Sequence, residues 1–357
     1  MAKRSRESIE VVGLDLGDRW TSWCRCTAGG DVVGEGRVRT QPEALSRQFG
    51  GEPRRRILLE TGTHSLWIAR QLRSMGHEVY VLHARSLRAI TQSRRKSDRL
   101  DARVLAQLGA TTSVAVLHTV DVIDESVQSD RAVLLARDLL VRCRTQQISH
   151  VRGVTKAWGV QLGSTTSKNF PVKVRERIPV PLQPALAPVL ESILRLTEAI
   201  VAYDEQLEQL AEGRYAHSRL LTQVPGVGTL TALTYLWTVR DPKRFTKSRQ
   251  VGAYVGLAPG SRASGQRDPQ LRITKQGNPL LRRLLVQCAH HILARPSCDG
   301  ILRSFGLRIA AQGGKRGKKR AVVAVARKLA VLLHHLWKTG EVYEPRLGAV
   351  TELKNAA

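Results

Sequence analysis

The hydrophobic period of this chain changes partway along its length, and that change limits the folds open to it. Early on, apolar residues come in short runs at 9–17 (IEVVGLDLG), 21–26, 31–38 and 56–62, with turn residues such as Gly29 and Gly30 between them. Runs of that length, bounded by glycine, read as strands. Later, Leu186, Leu190, Ile193, Leu196, Ile200, Tyr203, Leu207 and Leu210 follow one another at steps of three and four. That spacing draws an apolar seam along a long helix, as in a coiled coil. One layer architecture cannot hold both patterns, so the chain reads as an α/β region followed by helical ones.

The first three runs predict an antiparallel meander. A fourth strand ends at Glu60, a helix follows over 65–74, a short strand over 77–82 after the Gly76 stop, and a helix over 97–108 after a very basic link at 85–95. This order, βββ, β, α, β, α, predicts an α/β layer domain over residues 1–125. A basic helix at 130–158 and the acidic seam helix, joined by the Pro-containing stretch 170–188, predict an antiparallel arm over 126–215. Six acids face only Arg195 between Glu191 and Glu212, so this helix should point away from a polyanion. Residues 216–345 form a mainly helical third domain, with helices at 279–294 and 321–337 and a tail at 346–357. Its opening turn, Pro225-Gly-Val-Gly228, is either a helix-hairpin-helix turn offering N–H groups to phosphate or an ordinary tight turn.

Charge narrows the function. Fifty-seven Lys+Arg against 30 Asp+Glu give a net +27 in 357 residues, and such an excess opposes compaction unless a polyanion neutralises it. The basic residues singled out for nucleic acid are Arg94, Arg95, Lys96, Arg262, Arg267, Lys275, Lys315, Arg316, Lys318, Lys319 and Arg320. At 42% hydrophobic, the chain has material for real cores and is no disordered basic tail. The charged start lacks a signal peptide's apolar stretch. The best candidate span, at 321–333, is interrupted by Arg327 and Lys328, so no membrane segment is expected. Five cysteines without a CxxC pair indicate neither zinc ribbon nor disulfide scaffold; a reduced, cytoplasmic setting fits.

Four acids stand out. Asp15 interrupts a hydrophobic strand, where a buried charge is costly, although an arginine partner would explain it equally well. Glu60 ends a neighbouring strand, at the carboxyl edge where α/β sites lie. Asp98 and Asp101, at i and i+3, share one helix face, and by themselves suit a helix start. Taken together, four carboxylates on adjacent elements of a +27 chain suggest a site for two hard cations about 3.5–4 Å apart, clamping both oxygens in line at phosphorus. The pairs His290-His291 and His334-His335 point to different helix faces and read as surface or half-buried histidines.

The four acids, and the segment Lys96-Ser-Asp-Arg-Leu-Asp-Ala102 above all, resemble the DEDD transposases of the one-ten family of insertion sequences, the bridge-RNA-guided recombinases. Val224-Pro-Gly-Val-Gly, Gly256-Leu-Ala-Pro, Ala263-Ser-Gly, Ile273-Thr-Lys-Gln-Gly-Asn and Leu280-Leu-Arg-Arg-Leu-Leu are similar to that family's C-terminal transposase domain, so the resemblance spans nearly the whole chain. It implies an N-terminal RuvC-like domain of RNase H fold, with Asp15, Glu60, Asp98 and Asp101 binding Mg²⁺ or Mn²⁺, two ions in all. It implies that Ser264 is the nucleophile, forming a phosphoserine link to DNA. Ala263 and Gln266 depart from the family's Ser-Ser-Gly-Gly segment, which leaves Ser261 as a competitor. It also implies donor and target DNA, a structured guide RNA, and dimers paired into tetramers as partners. An actin-like kinase or ATPase, which would need a second meander, a junction nuclease using the carboxylates alone, and a non-catalytic basic binder are the rival readings.

Overall fold

The computed structural model describes residues 9–83, 98–113, 116–117, 119–260 and 271–345. The basic link with Arg94, Arg95 and Lys96, the loop with Ser261, Arg262, Ser264 and Arg267, and the tail lie outside the described residues. The chain divides into two compact units, Met1–Glu125 and Ser126–Ala357.

The first unit is built on β1 (Val11–Leu16), β2 (Trp20–Cys26), β3 (Val32–Arg39), α1 (Pro42–Phe49), β4 (Arg56–Glu60), α2 (Ser65–Ser74), β5 (Glu78–Leu82), α3 (Asp98–Thr111) and the two-residue β6 (Thr119–Val120). The sheet order is β3-β2-β1-β4-β5-β6. β1, β2 and β3 form an antiparallel meander, β4 and β5 run parallel to β1, and β6 is antiparallel to β5. Alternation along the strands separates two apolar faces. Val12, Leu14, Ile57 and Leu59 pack with Leu45 and Phe49 of α1 and Ile68 and Leu72 of α2. Val11 and Leu58 pack on the other face with Leu105 and Leu108 of α3. Cys24 and Cys26 of β2 meet Ala102 and Ala106 there.

Glycine sets how closely α3 lies on that face. A Cβ at Gly13 would fall 2.0 Å from the Ala102 carbonyl oxygen, and one at Gly109 would fall 2.4 Å from a Leu58 methyl. Only residues without side chains let helix and strand backbones come this near.

The second unit opens with α4 (Glu125–Ala157), α5 (Phe170–Val174) and α6 (Gln183–Glu212). Arg137 donates to Asp204 at 2.5 Å, Arg144 to Thr197 at 3.2 Å and Gln147 to Ser192 at 3.0 Å. Numbers rise along α4 as they fall along α6, so the two helices form an antiparallel pair within one chain. Val151, Leu162, Phe170, Val174 and Ile178 cover Leu186, Leu190 and Ile193 at its far end. Those seam residues therefore need no second chain to leave water; the apolar spacing fixed a face, and α4 with its following loop fills it.

The remainder comprises α7 (Arg219–Thr222), α8 (Thr229–Val239), α9 (Arg249–Tyr254), α10 (Pro279–Ala294), α11 (Ile301–Ala311) and α12 (Gly314–Thr339). α8 is buried almost all round, which makes it the central helix of this core. Its Tyr235 hydroxyl donates to the Ala330 carbonyl at 2.7 Å. Burying such a ring without that acceptor would leave a costly orphan hydroxyl. α12 begins seven residues ahead of the expected 321, so the run from Lys315 to Arg320 is helical. Lysine and arginine are good helix formers, and the helix ends at Gly340 in the left-handed conformation (φ 74°). Among the described residues no helix is long and apolar enough to cross a membrane, and the five cysteines are free.

Candidate active site and nucleic-acid interface

Asp15 lies two residues beyond Gly13 on β1, and side chains two apart share a sheet face. It therefore faces α3, toward the helix start, since Gly13 meets Ala102. In the parallel register Leu14 pairs with Leu59, and one further step sets Asp15 beside Glu60, the last residue of β4. Asp15 and Glu60 are half-buried, whereas Asp98 and Asp101 are exposed in the first turn of α3. The Asp15 carboxyl is pushed up to about 6, first by burial and then by the charges of Asp98, Asp101 and Glu60. All three charges act on Asp15 in the same direction, with no arginine among the causes to offset them. Arg99, between the two α3 acids, is engaged instead by Glu35 of β3 at 2.6 Å.

An all-carboxylate donor set suits a hard divalent cation, and an unrelieved excess of negative charge is what such an ion would neutralise. Among the described residues, no three His, Cys, Asp or Glu side chains are already gathered around a single ion position. The residues fit the ion by chemistry and by the electrostatics at Asp15.

In the second unit the segment that carries Ser264 is closed at its base by a hairpin stem. Gly260 N–H donates to the Arg272 carbonyl, Thr274 N–H to Ala258 and Lys275 N–H to Gly256, at 2.9–3.1 Å, around the bridge from Pro259 to Ile273. A Cβ on Gly277 would come 2.1 Å from the Tyr254 carbonyl oxygen, which explains glycine at that point of Ile273-Thr-Lys-Gln-Gly-Asn. The asparagine that follows, Asn278, caps α10 by accepting from the Leu280 and Leu281 N–H groups at 2.9 and 3.1 Å. Arg282 donates to the Val255 and Gln276 carbonyls and ties stem to helix, a role the motif alone did not disclose. The described residues on either side of that segment thus form a braced stem.

Lys275 is exposed at this stem, in the left-handed region (φ 56°). Arg316, Lys318, Lys319 and Arg320 are exposed in the first turns of α12, which holds no acid there. The Pro225-Gly-Val-Gly228 turn resolves as a tight turn. Its leading helix, α7, has four residues, Gly226 packs against His291 and Ile292 of α10, and Thr229 at the start of α8 donates to the Glu208 carboxylate at 2.8 Å. A carboxylate already at that helix start disfavours phosphate. His334 is buried, bonded to Ser248 and to the Pro242 carbonyl, and serves packing.

Comparison with known proteins divides along the same two features. The sequence model for DEDD transposases of IS110 elements matches residues 12–157, which include all four acids. The model described as the transposase IS116/IS110/IS902 family matches residues 218–301, which include the stem and its loop. The transposase for insertion sequence element IS1111A of Coxiella burnetii is 29% identical over 97% of this chain and 94% of its own length. The transposase for IS1328 of Yersinia enterocolitica is 28% identical over 81% of this chain and 85% of its own. The 43.6 kDa protein of insertion element IS110 from Streptomyces coelicolor is 31% identical, over 48% of this chain and 40% of its own. With two matching models that together cover more than half of its length, the chain belongs to the IS110 family of insertion-sequence transposases, enzymes of DNA recombination.

Proposed function

We propose that Asp15, Glu60, Asp98 and Asp101 hold two divalent ions, Mg²⁺ or Mn²⁺, and that Ser264 is the nucleophile that cuts and rejoins DNA. The observation that carries this is the Asp15 carboxyl, raised to about 6 by burial and by the other three acids. DEDD transposases generally depend on metal. When bound, such ions supply charge stabilisation to the attacking and leaving oxygens at phosphorus. The order β3-β2-β1-β4-β5, with a meander followed by parallel strands, favours an RNase H-like, RuvC-like reading of the first unit.

The Ser264 hydroxyl loses its proton as its oxygen bonds to phosphorus, and one P–O ester bond of the DNA breaks to leave a free DNA hydroxyl. A hydroxyl of the exchanged strand then attacks the phosphoserine and returns the serine. Arg262 and Arg267 flank Ser264 and suit the phosphate's non-bridging oxygens. The acids belong to one compact unit and Ser264 to the other, which suits active sites shared between protomers of a dimer or tetramer. Target choice would be delegated to base pairing with a structured RNA, as in other guided enzymes. The +27 charge suits both nucleic acids.

The test is a denaturing gel of the protein with end-labelled donor DNA and Mg²⁺, followed by peptide mapping. The parent forms a covalent adduct, Ser264→Ala forms none while still binding DNA, and Ser261→Ala retains it. An adduct that survives Ser264→Ala relocates the nucleophile, and nicking without any adduct in the parent identifies a nuclease using the carboxylates alone.

A further inference from the structure

One row of side chains on the carboxylate face has no role in the chemistry above. Asp15 pairs in register with Ser22 of β2, and Ser22 pairs with Arg37 of β3. One step along the face, Trp20 pairs with Arg39. Trp20, Ser22 and Cys24 alternate onto one side of β2, and Cys24 meets α3 there, so this row shares the face that carries Asp15. Glu35, two residues before Arg37, reaches Arg99 of α3 and places β3 on the same side. Strand spacing puts Arg37 about 10 Å from Asp15 across the sheet, and Trp20 about 7 Å along β2 from Ser22.

Several arginines of this unit are ion-paired. Arg25 and Arg55 each have Glu10 as a carboxylate partner, Arg56 has Glu78 and Arg99 has Glu35. Arg37 and Arg39 are exposed and have no carboxylate partner among the described residues. Arg39 instead lies 4.4 Å over the Trp20 ring, and that ring is still 44% exposed. The pair is also held firmly. Thr40 donates to the Gly17 carbonyl at 2.8 Å and meets Thr21 at 2.9 Å, while its N–H donates to the Arg19 carbonyl. These bonds fix the β1–β2 turn to the end of β3.

We infer that this edge of the sheet is a strand-binding track, in which Trp20 stacks on an unpaired base next to the cleaved phosphate and Arg37 and Arg39 hold the flanking phosphates. An indole stacks on any base face, but only on one freed from its neighbours, so the ligand is single-stranded or locally opened DNA. Two unpaired guanidiniums favour a polyanion over an apolar protein partner. The inference rests on the carboxylate reading for which phosphate is cut, and binding measured without metal separates the two.

The experiment uses the full chain in chelator, with fluorescein-labelled single strands, paired duplex, and duplex with one unpaired base, followed by anisotropy at fixed salt. Trp20→Ala should weaken binding to single strands and to the opened duplex about 5- to 150-fold, the range for losing one base–aromatic stack, and to paired duplex less than about twofold. Trp20→Phe should restore most of the loss, which guards against a folding artefact. Arg37→Gln and Arg39→Gln should each lower the single-strand salt slope by about 0.7. Equal affinity of Trp20→Ala and parent for the opened duplex overturns the track, as does an equal loss on every DNA. If discrimination holds while the parent forms no serine adduct with Mg²⁺, the track stands and the carboxylate–serine reading fails.

Discussion

The first turns of α3 and α12 carry opposite charge, and the contrast shows where a helix start is informative. In α3 the residues are Asp98 and Asp101, and the positive end of the helix dipole welcomes them. Taken alone they would say no more than that a helix begins. They acquire meaning because β1 and β4 place Asp15 and Glu60 beneath them, adding negative charge beyond what one dipole offsets. In α12 the residues are Arg316 in the first turn, which the same dipole opposes by about 0.3–1 kcal/mol, and Lys318, Lys319 and Arg320 in the second, where that effect has fallen off. Here the local rule is already broken, with no acid in that turn to mend it. Each region leaves an electrostatic imbalance that a ligand of opposite sign would relieve, a cation at one and a polyanion at the other.

The sharpest way to break the comparison is to remove charge at the acidic side. Asp15→Asn should lower DNA strand cleavage about 1,000-fold or more while leaving DNA affinity in chelator unchanged, measured by gel cleavage and by anisotropy. Parallel loss of both would make Asp15 a structural residue.

A smaller effect is expected at the basic side. Lys318→Gln with Lys319→Gln should lower the slope of log affinity against log salt by about 1.4–1.8 and leave the thermal midpoint level, since both side chains are exposed beyond the first turn. An unchanged slope would remove α12 from the interface.

The smallest effect sharpens the electrostatics at Asp15 itself. Its folded value of about 6 exceeds the ordinary 3.8, so between those values the folded state holds more protons than the unfolded one. Stability contributed by the protonated form is complete below about pH 4 and is lost as pH rises through 6. Asp15→Asn should therefore be more stable than the parent at pH 7.5, by about 1 kcal/mol once solvent screening of a half-exposed group is allowed for, and equal to it near pH 3.5. Scanning calorimetry of the two proteins should show a gap of about 2–4 °C at the higher pH. A gap of the same size at both would place its origin outside ionisation.

Much of this arrangement was legible in the residues. The runs bounded by glycine gave β1 to β5, and Asp15 and Glu60 stood out because acids at the ends of apolar strands need a reason. The start of α12 was not legible, because a helix that opens on lysine and arginine violates capping and dipole preferences and reads as a loop. Helices α1 and α11 are short, and β6 is two residues that only β5 makes a strand. The seam in α6 was plain as a face, but period cannot say what covers a face; α4 lies more than forty residues away and is tied to it through Arg137, Arg144 and Gln147. The Pro-Gly-Val-Gly spelling at Gly226 fits two kinds of turn, and it is Glu208 beside Thr229, distant in sequence, that tells them apart.

The contact between Gly13 and Ala102 has a consequence for how such an element decays. Any side chain at Gly13 displaces the α3 backbone from β1, and with it the two acids that α3 presents to Asp15. A glycine codon admits no change at its first or second base that keeps glycine, so each such change adds a side chain or a stop. Silencing this transposase by random substitution thus has targets that bear no charge and touch no DNA. Copies that have lost mobility should carry lesions at Gly13 and Gly109 as well as at the four acids.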